Sequence, residues 1–457
     1  MAARPSGSFR RDSQSSAPRG VRAAAAWALE RTLTSQGPAD VYLESAMARF
    51  DDRDKGLLHE LVLGTLRWMR RIDDVLAAAS HRGLAEIEAP LLAPMRLAVY
   101  QLLFLDRVPA HAAVDEAVEH ASHLTHRGGG SFANAVLRRV ARAPTLAEWP
   151  VRDEDPVRRL GIEYSHPDLL VERWIERFGR ERAIALLQAD NQPKPLHLLA
   201  FRSRGGREQL AEDLIDEGLE VRASSISPLG LSVRSGNPFA TAAFRRGDFY
   251  VQDEASQAAA LIPPPVAGER IFDAAAAPGG KSAALLAWQE NLQLVAADIS
   301  AERLRTLRAN IKRLRLPIAS LVADAERPAL RGGFDRVVLD LPCSGTGTLR
   351  KHPELKWRIS ESEIGRLSRQ ALRMLAGCAP LVGAGGRLVA ITCSLEPEEN
   401  EQVVASFLAE HSDFEPEELT GQVPAALERH LISPGFWRLA TAGDHDGFTV
   451  HVLKRRR

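Results

Sequence analysis

From residue 249 onward the chain alternates strand-length apolar runs with amphipathic stretches, and that rhythm is the strongest constraint on its fold. ERIFD (269–273), LQLVAAD (292–298), ASLVAD (319–324), FDRVVLD (334–340) and GRLVAITC (386–393) are short and apolar, and helical periodicity separates them. A strand, a helix and a second strand of the same direction form a right-handed crossover. A series of such units predicts a mostly parallel, doubly wound sheet of the Rossmann-like α/β kind over 248–457.

The N-terminal third has a different period. VRAAAAWALERTL, DKGLLHELVLGTLRWMRRIDDVLAAA, LLAPMRLAVYQLLFL and AHAAVDEAVEHASHL repeat apolar residues at three and four, with breaks at 35–38, 81–83 and 126–130. This predicts an all-α domain over 21–142, preceded by a basic disordered tail (1–20) and followed by a proline-bearing linker (143–165). Between 166 and 247, helices in PDLLVERWIERFG, RERAIALLQAD and REQLAEDLIDEGL and a strand in PLHLLAF predict a small α+β module. The chain is therefore expected to be multidomain.

With 59 basic and 59 acidic side chains, net charge by itself gives no argument for a nucleic-acid partner; positive charge gathers in the N-terminal tail and in Lys454-Arg455-Arg456-Arg457. No apolar run reaches the roughly 18 residues that span a bilayer. The Arg- and Ser-rich start lacks a signal peptide's apolar core. Three cysteines, none at metal-ligand spacing, cannot form a disulfide framework. A reducing cytoplasm is the expected compartment, with no membrane partner, no metal and a monomeric state.

DAAAAPGGKS (273–282) joins the first of these strands to a helix. A phosphate-binding P-loop needs glycine six residues before the lysine, where this chain has Ala275; the dinucleotide fingerprint needs three spaced glycines, where it has the adjacent Gly279 and Gly280. What remains is a nucleotide-binding turn without a triphosphate to clamp: a strand ending at Asp273, backbone left open by glycine, and a helix N-terminus facing the ligand. The next strand ends in Asp298, placed to take ribose hydroxyls; the others end in Asp324, Asp340 and Thr392-Cys393-Ser394. One strand-terminal Asp is ordinarily a turn or cap residue, but an unbroken series of polar ends marks a ligand edge. S-adenosylmethionine fits it best.

Two of the three cysteines flank that edge. Cys343 follows Asp340 in DLPCSGTG and Cys393 ends the last strand in ITCSLEPEENE, whereas Cys378 in ALRMLAGCAPLV reads as a buried structural thiol. Loop positions beside glycines and helix N-termini favour thiolate character for the first two. Thiols there suit methylation of cytosine at C5, a carbon too weakly nucleophilic to take a methyl group unaided: a thiolate adding to C6 makes the ring enamine-like. Asp340 is placed to hold or protonate N3, and a second thiol could help the enzyme leave. Enzymes that methylate exocyclic amino groups commonly carry Asp/Asn-Pro-Pro-aromatic where this chain has Asp-Leu-Pro-Cys. The residues alone do not say which cysteine attacks.

DAAAAPGGKS, DLPCSGTG and TCSLEPEENE together resemble the motifs of the NOL1/NOP2/Sun family of RNA cytosine-C5 methyltransferases, and the resemblance runs from 166 onward, including VQDEASQ (251–257) and DGF (446–448). It implies a class I methyltransferase domain in which Ala275, Ala276, Ala277, Pro278, Gly279, Gly280, Lys281, Asp298, Asp324 and Asp340 contact S-adenosylmethionine. It also implies that Cys393 is the nucleophile and that Cys343 assists product release, with Asp340 and Lys281 in the catalytic group. FDDRDKGLLHELVLGTLRW, LAVYQLLFLDRVPAHAAVDEAVEHA and FANAVLRR resemble NusB-like RNA-binding domains. That fusion is the arrangement of bacterial enzymes acting on 16S ribosomal RNA, so the implied partner is small-subunit ribosomal RNA. The chain departs from the family motifs at Ala275 (usually Cys), at Ser282 (usually Thr, with the helix-capping hydroxyl kept) and at Leu199, where many relatives carry arginine.

Two other functions compete: the same chemistry on transfer RNA, and a non-catalytic ribosome-assembly factor with a relic cofactor fold. The NusB-like region speaks against the first, the intact cysteines and carboxylates against the second. His120, His123 and His126 fan across about 120° of a helix, which argues against a shared metal ion. AERLRTLRANIKRLRL displays Arg303, Arg305, Arg308, Lys312, Arg313 and Arg315 as either a solvated surface or an RNA-facing stripe. RSRGGR (202–207) is either a loop near phosphate or a flexible turn.

Overall fold

The structure, a computed structural model, describes residues 20–35, 37–124 and 127–457. The expected basic tail, up to residue 19, and His126 of the histidine trio lie outside the described residues. The chain divides into two units, one running to Glu172 and including His352–Trp357, the other made of Arg173–Lys351 and Arg358–Arg457.

The first unit is helical: α1 (Val21–Thr34), α2 (Ala39–Met47), α3 (Asp52–Ser80), α4 (Ala89–Phe104), α5 (Ala110–Leu124), α6 (Arg127–Arg142) and α7 (Pro156–Glu163). α3 begins where the Asp51 carboxylate accepts the Asp54 N–H at 2.9 Å, and ends at His81 in the left-handed region, φ 55°. Its apolar stripe, with Leu58, Leu61, Leu66, Ile72 and Leu76, packs with Ala25 and Leu29 of α1 and Met95 and Ala98 of α4. Gly64 lets α4 approach, since a Cβ there would stand 2.1 Å from the Tyr100 ring.

Two expectations are corrected in this unit. The glycines 128–130 are not a break but the first turn of α6; a Cβ on Gly130 would lie 2.0 Å from Ser122 Oγ, so helix packing selects the small residue there. Nor is 143–165 an open linker. Trp149 is buried and donates its indole N–H to the Ala143 carbonyl at 2.8 Å, and the Arg71 guanidinium donates to the Leu146 carbonyl at 3.3 Å and to the Trp149 carbonyl. The short turn Pro353–Trp357 also belongs here: Trp357 Nε1 donates to the Leu66 carbonyl at 2.8 Å and Lys356 Nζ to the Ser165 carbonyl at 3.3 Å.

In the second unit, the end of α8 (Asp168–Phe178) and α9 (Arg180–Ala189) precede a four-stranded antiparallel sheet. Its elements are β1 (Leu196–Ala200), α10 (Gly206–Asp216), β2 (Glu220–Ala223), β3 (Gly230–Ser235), α11 (Ala242–Arg246) and β4 (Phe249–Val251), with strand order β2-β3-β1-β4. β4 was expected in the large domain; it is an edge of the small sheet, with Tyr250 opposite Leu199 and Phe249 packed against Leu198, Leu210 and Leu214. Leu199 is wholly buried in core beside Tyr250.

The large sheet follows: α12 (Glu254–Ala260), β5 (Arg270–Asp273), α13 (Gly280–Trp288), β6 (Gln293–Asp298), α14 (Ala301–Leu314), β7 (Ile318–Val322), β8 (Phe334–Asp340), α15 (Glu361–Cys378), β9 (Val382–Thr392), α16 (Glu401–Glu410), β10 (Phe414–Pro416), α17 (Ala425–Glu428), β11 (Leu431–Ser433), β12 (Phe436–Leu439) and β13 (Phe448–Arg455). Strand order is β7-β6-β5-β8-β9-β13-β12-β11, with β10 on β13. β5 to β9 are parallel, as the strand–helix rhythm predicts, and β13 adds antiparallel to β9. The chain leaves β5 toward β6 and β7 and returns to β8 on its other side. Such a reversal opens a crevice at the carboxyl ends, where doubly wound sheets bind ligands. Among the described residues, no helix is long and apolar enough to cross a membrane.

Candidate active site

The turn after β5 is stitched into the sheet on both sides. The Ala274 N–H donates to the Val338 carbonyl at 2.9 Å and the Ala276 N–H to the Ala297 carbonyl at 2.8 Å. Gly279 takes φ 108°, and a Cβ on it would stand 2.6 Å from Leu307 Cδ1 of α14, so both conformation and space require glycine. α14 holds the turn from outside: Arg303 donates to the Ala277 carbonyl and Asn310 Nδ2 to the Pro278 carbonyl at 3.0 Å. Asp273 is fully buried, which pushes its carboxyl up to about 6, and its Oδ2 accepts the Ser282 hydroxyl at 2.6 Å. Ser282 thus ties the helix to β5; the expected capping role is corrected, because the buried carboxylate competes for its hydroxyl.

At the carboxyl ends of the parallel strands lies a cavity of about 490 Å³. Of the predicted site residues, Ala275, Asp298, Asp324, Asp340, Cys343 and Cys393 line it. The others stand elsewhere: Ala276, Ala277 and Gly279 are buried in the turn, Pro278 is exposed, and Gly280 and Lys281 open α13. Asp298 accepts the Ser300 N–H at 2.9 Å and pairs with Arg303 at 3.1 Å. Asp324 accepts the Glu326 N–H at 2.9 Å. Ile299, Gln370 and Met374, not foreseen from the sequence, also stand on the wall. Ile299, 66% exposed, could have been found as an apolar residue placed just past a strand-terminal aspartate. Gln370 and Met374 come from α15, whose pattern carries no such mark.

The two thiols meet here, Sγ to Sγ at 3.4 Å. The hydrogen bond to Cys393, then burial, then the charges of Cys393, Glu399 and Asp340, push the Cys343 thiol well above its ordinary value. The expected thiolate character of Cys343 is therefore corrected: local loop and helix dipoles are outweighed by neighbours distant in sequence. Lys281 Nζ donates to Asp340 Oδ2 at 3.0 Å and lies 5.0 Å from the centre of the Phe448 ring. Burial opposes its charge, yet Asp340, with Cys393 and Asp273 beyond it, holds the ammonium above the usual lysine value. Cys378 is wholly buried, as expected; burial pushes it up to about 12, and its Sγ–H donates to the Ala325 carbonyl at 3.3 Å.

Much of the basic helix is engaged within the protein. Besides Arg303, Arg305 reaches Glu302 at 3.2 Å, Arg308 donates to Ser320 Oγ at 3.1 Å, and Arg313 donates to the Phe244 and Phe249 carbonyls at 3.3 and 3.2 Å. RSRGGR is a fixed loop: the Arg202 guanidinium lies 3.2 Å from the centre of the Trp288 ring, and Arg204 donates to the Gly247 and Leu314 carbonyls. Among the described residues, no group of three or more His, Cys, Asp or Glu side chains is placed to hold a metal ion.

The chain is similar to known proteins over most of its length. The family described as "16S rRNA methyltransferase RsmB/F" matches residues 260–440, the NusB family matches 19–142, and the RsmF/B-like ferredoxin-like domain matches 166–240. The chain is 33% identical to the probable ribosomal RNA small subunit methyltransferase B of Bacillus subtilis, over 95% of this chain and 99% of that one. It is 34% identical to ribosomal RNA small subunit methyltransferase B of Pseudomonas syringae pv. tomato, over 93% and 95%. Among solved structures, PH0851 superposes with a TM-score of 0.78 at 25% identity, covering 96% of this chain and 99% of its own.

Proposed function

Because the chain belongs to the 16S rRNA methyltransferase RsmB/F family, we propose that it transfers a methyl group from S-adenosylmethionine to C5 of a cytosine in small-subunit ribosomal RNA, through a covalent adduct between Cys393 and C6. The observation that carries the reading is the pair of thiols 3.4 Å apart on the wall of a nucleotide-sized cavity. Methylation of an exocyclic amine would need neither.

The donor set suits S-adenosylmethionine. Asp298 at the end of β6 suits ribose hydroxyls, the exposed Ile299 beside it suits a purine face, and Ala274 and Ala275 of the turn stand on the cavity wall with small side chains. When bound, the cofactor supplies an electrophilic methyl group. The target cytosine must leave its stack to reach Cys393. The Cys393 thiolate adds to C6, and the displaced electron pair makes C5 nucleophilic. Asp340, 39% exposed and bonded to Lys281, is open to the ring's N3 edge. Once C5 carries the methyl group, its proton leaves to a base, the C6–S bond breaks and the pair returns to the Cys393 sulfur. Cys343, which keeps its proton, donates an S–H bond to that sulfur as it departs.

The test is methyl transfer from labelled S-adenosylmethionine to unmodified small-subunit ribosomal RNA and to transfer RNA, with the product nucleoside identified by mass spectrometry. 5-Methylcytidine in ribosomal RNA is the expected result. The same product in transfer RNA alone would overturn the substrate, and a different methylated nucleoside would overturn the cysteine chemistry.

A further inference from the structure

Behind the thiols sits a carboxyl group that the mechanism above does not use. Glu399 lies in the turn Pro397–Glu399 and is 1% exposed. Its Oε1 accepts the Ser344 N–H at 2.7 Å and its Oε2 the Ser344 hydroxyl at 2.6 Å, and Ser394 Oγ lies 3.4 Å from Ser344 Oγ. Ser344 follows Cys343, and Glu399 itself stands in the turn just beyond Cys393, so one buried carboxyl group ties the two thiol-bearing segments together.

The turn has other means of holding its shape. Asn400 Nδ2 donates to the Ser394 and Glu396 carbonyls at 3.1 and 2.7 Å, and Thr392 Oγ1 donates to Asn400 Oδ1 at 2.5 Å. The Leu395 N–H donates to Thr346 Oγ1 at 2.9 Å. Burying a carboxylate is costly, and a neutral group of the same shape would avoid that cost. The groups around it do not remove the cost. Glu396, the charge that acts on it, is paired with Arg173 at 2.8 Å; Glu401 is paired with Arg177 and Arg438; Asp340 and the two thiols lie on the cavity side. The buried faces of α15 and α16 are apolar, with Ile364, Leu367, Val403 and Val404.

We propose that Glu399 is the positioning residue of the thiol pair: it locks the Cys343 and Cys393 turns together, and its charge keeps the proton on Cys343 while Cys393 attacks. The geometry beside Cys343 supports this: Glu399 binds Ser344, the residue after Cys343, through both carboxylate oxygens, and its charge and that of Asp340 act on the Cys343 thiol. Burial pushes Glu399 itself up to about 7, so its charge is present above neutral pH and absent well below it. The inference rests on the thiol roles proposed above, but it can be tested without RNA.

In a C393A background the remaining thiols are Cys343 and the buried Cys378. Alkylation of Cys343 by iodoacetamide, read by peptide mass spectrometry, is compared with and without E399Q from about pH 6 to about pH 9. Glutamine keeps the shape and an oxygen for the Ser344 N–H while removing the charge. One pKa unit is a tenfold change in thiolate, so E399Q should speed alkylation about tenfold near pH 9 and leave it within about twofold near pH 6. A merely structural role would give a ratio independent of pH; that result, or no acceleration, overturns the proposal. E399D keeps the charge and should stay near the C393A rate; acceleration there would overturn the proposal even if E399Q lost its folded melting profile. Failure of alkylation to respond refutes Glu399 alone, whereas absence of 5-methylcytidine in the transfer assay refutes the reading on which it rests.

Discussion

Replacing Gly279 with alanine perturbs the cofactor turn at one atom whose surroundings are known. The residue sits at φ 108° and ψ 11°, and the new Cβ would lie 2.6 Å from Leu307 Cδ1, with Leu307 itself buried. A left-handed backbone costs an L-residue about 1–2 kcal/mol, and overpacking a close-packed site about 1–3 kcal/mol, so G279A should lose about 2–5 kcal/mol. Gly268 separates the two causes: it has φ 82° with nothing within 4 Å of a built Cβ, so G268A should lose about 1–2 kcal/mol. The excess of G279A over G268A is the clash. Because α14 carries both Leu307 and Arg303, and Arg303 pairs with Asp298 on the cavity wall, relief by shifting α14 should weaken S-adenosylmethionine binding. A strain of about 2 kcal/mol corresponds to about 30-fold in Kd. Urea unfolding measures the stability loss and calorimetric titration the affinity. In the double variant G279A/L307A the clash should vanish, giving a favourable coupling of about 1–3 kcal/mol. Equal losses in G279A and G268A, with unchanged cofactor affinity, would refute the steric account of this turn.

Three other outcomes are expected. C393A should abolish turnover and form no covalent RNA adduct, whereas C343A should accumulate a protein–RNA species on denaturing gels; the opposite pattern would exchange the two roles. D298A should weaken S-adenosylmethionine binding about tenfold or more by removing a charged partner for the ribose hydroxyls, worth about 1.5–3 kcal/mol, while D298N retains part of it; calorimetry decides, and unchanged affinity places the ribose elsewhere. For Asp273 the sign follows from its raised carboxyl, about 6 against the usual 3.8. Its contribution to stability is full below about pH 4 and is lost as pH rises through about 6. D273N lacks that loss, so its stability relative to the native chain should rise by about 3 kcal/mol between about pH 4 and about pH 7, from roughly two units at 1.36 kcal/mol each; parallel pH profiles in urea unfolding would contradict it.

The parallel sheet was legible because its strands bury both faces, so Ile271-Phe272 in β5, Val337-Val338 in β8 and Leu388-Val389 in β9 are unbroken apolar pairs inside short runs. The helical unit was legible for the complementary reason, a period of three and four sustained across the 29 residues of α3. The misplaced boundaries share one cause: membership was decided by contacts that local pattern does not encode. Phe249 and Val251 alternate like any edge strand, and only the pairing of Phe249, Tyr250 and Val251 with Ala200, Leu199 and Leu198 assigns them to the small sheet. Gly128 to Gly130 look like a break because glycine is a poor helix former, but they open α6, and at Gly130 the closeness of Ser122 on α5 makes glycine the residue that fits.

The site divides along the same line. Asp298, Asp324, Asp340, Cys343 and Cys393 could be named in advance because each stands where an apolar run stops, which is where a doubly wound sheet presents residues to a ligand. Their protonation could not be read that way. Cys343 beside its glycines looks poised to ionise, and what reverses this is a second thiol 50 residues away and a carboxyl group that binds its neighbouring serine across 55 residues. Convergence is itself the reason: a fold that brings carboxyl groups and thiols to one sheet edge places like charges together, and such groups cannot all be ionised at once. The lysine that Asp340 holds charged, and the Cys343 thiol that its hydrogen bond to Cys393, burial and then the charges of Cys393, Glu399 and Asp340 push up, are two consequences of that crowding. A division of labour between otherwise similar thiols follows from where the charges fall around them.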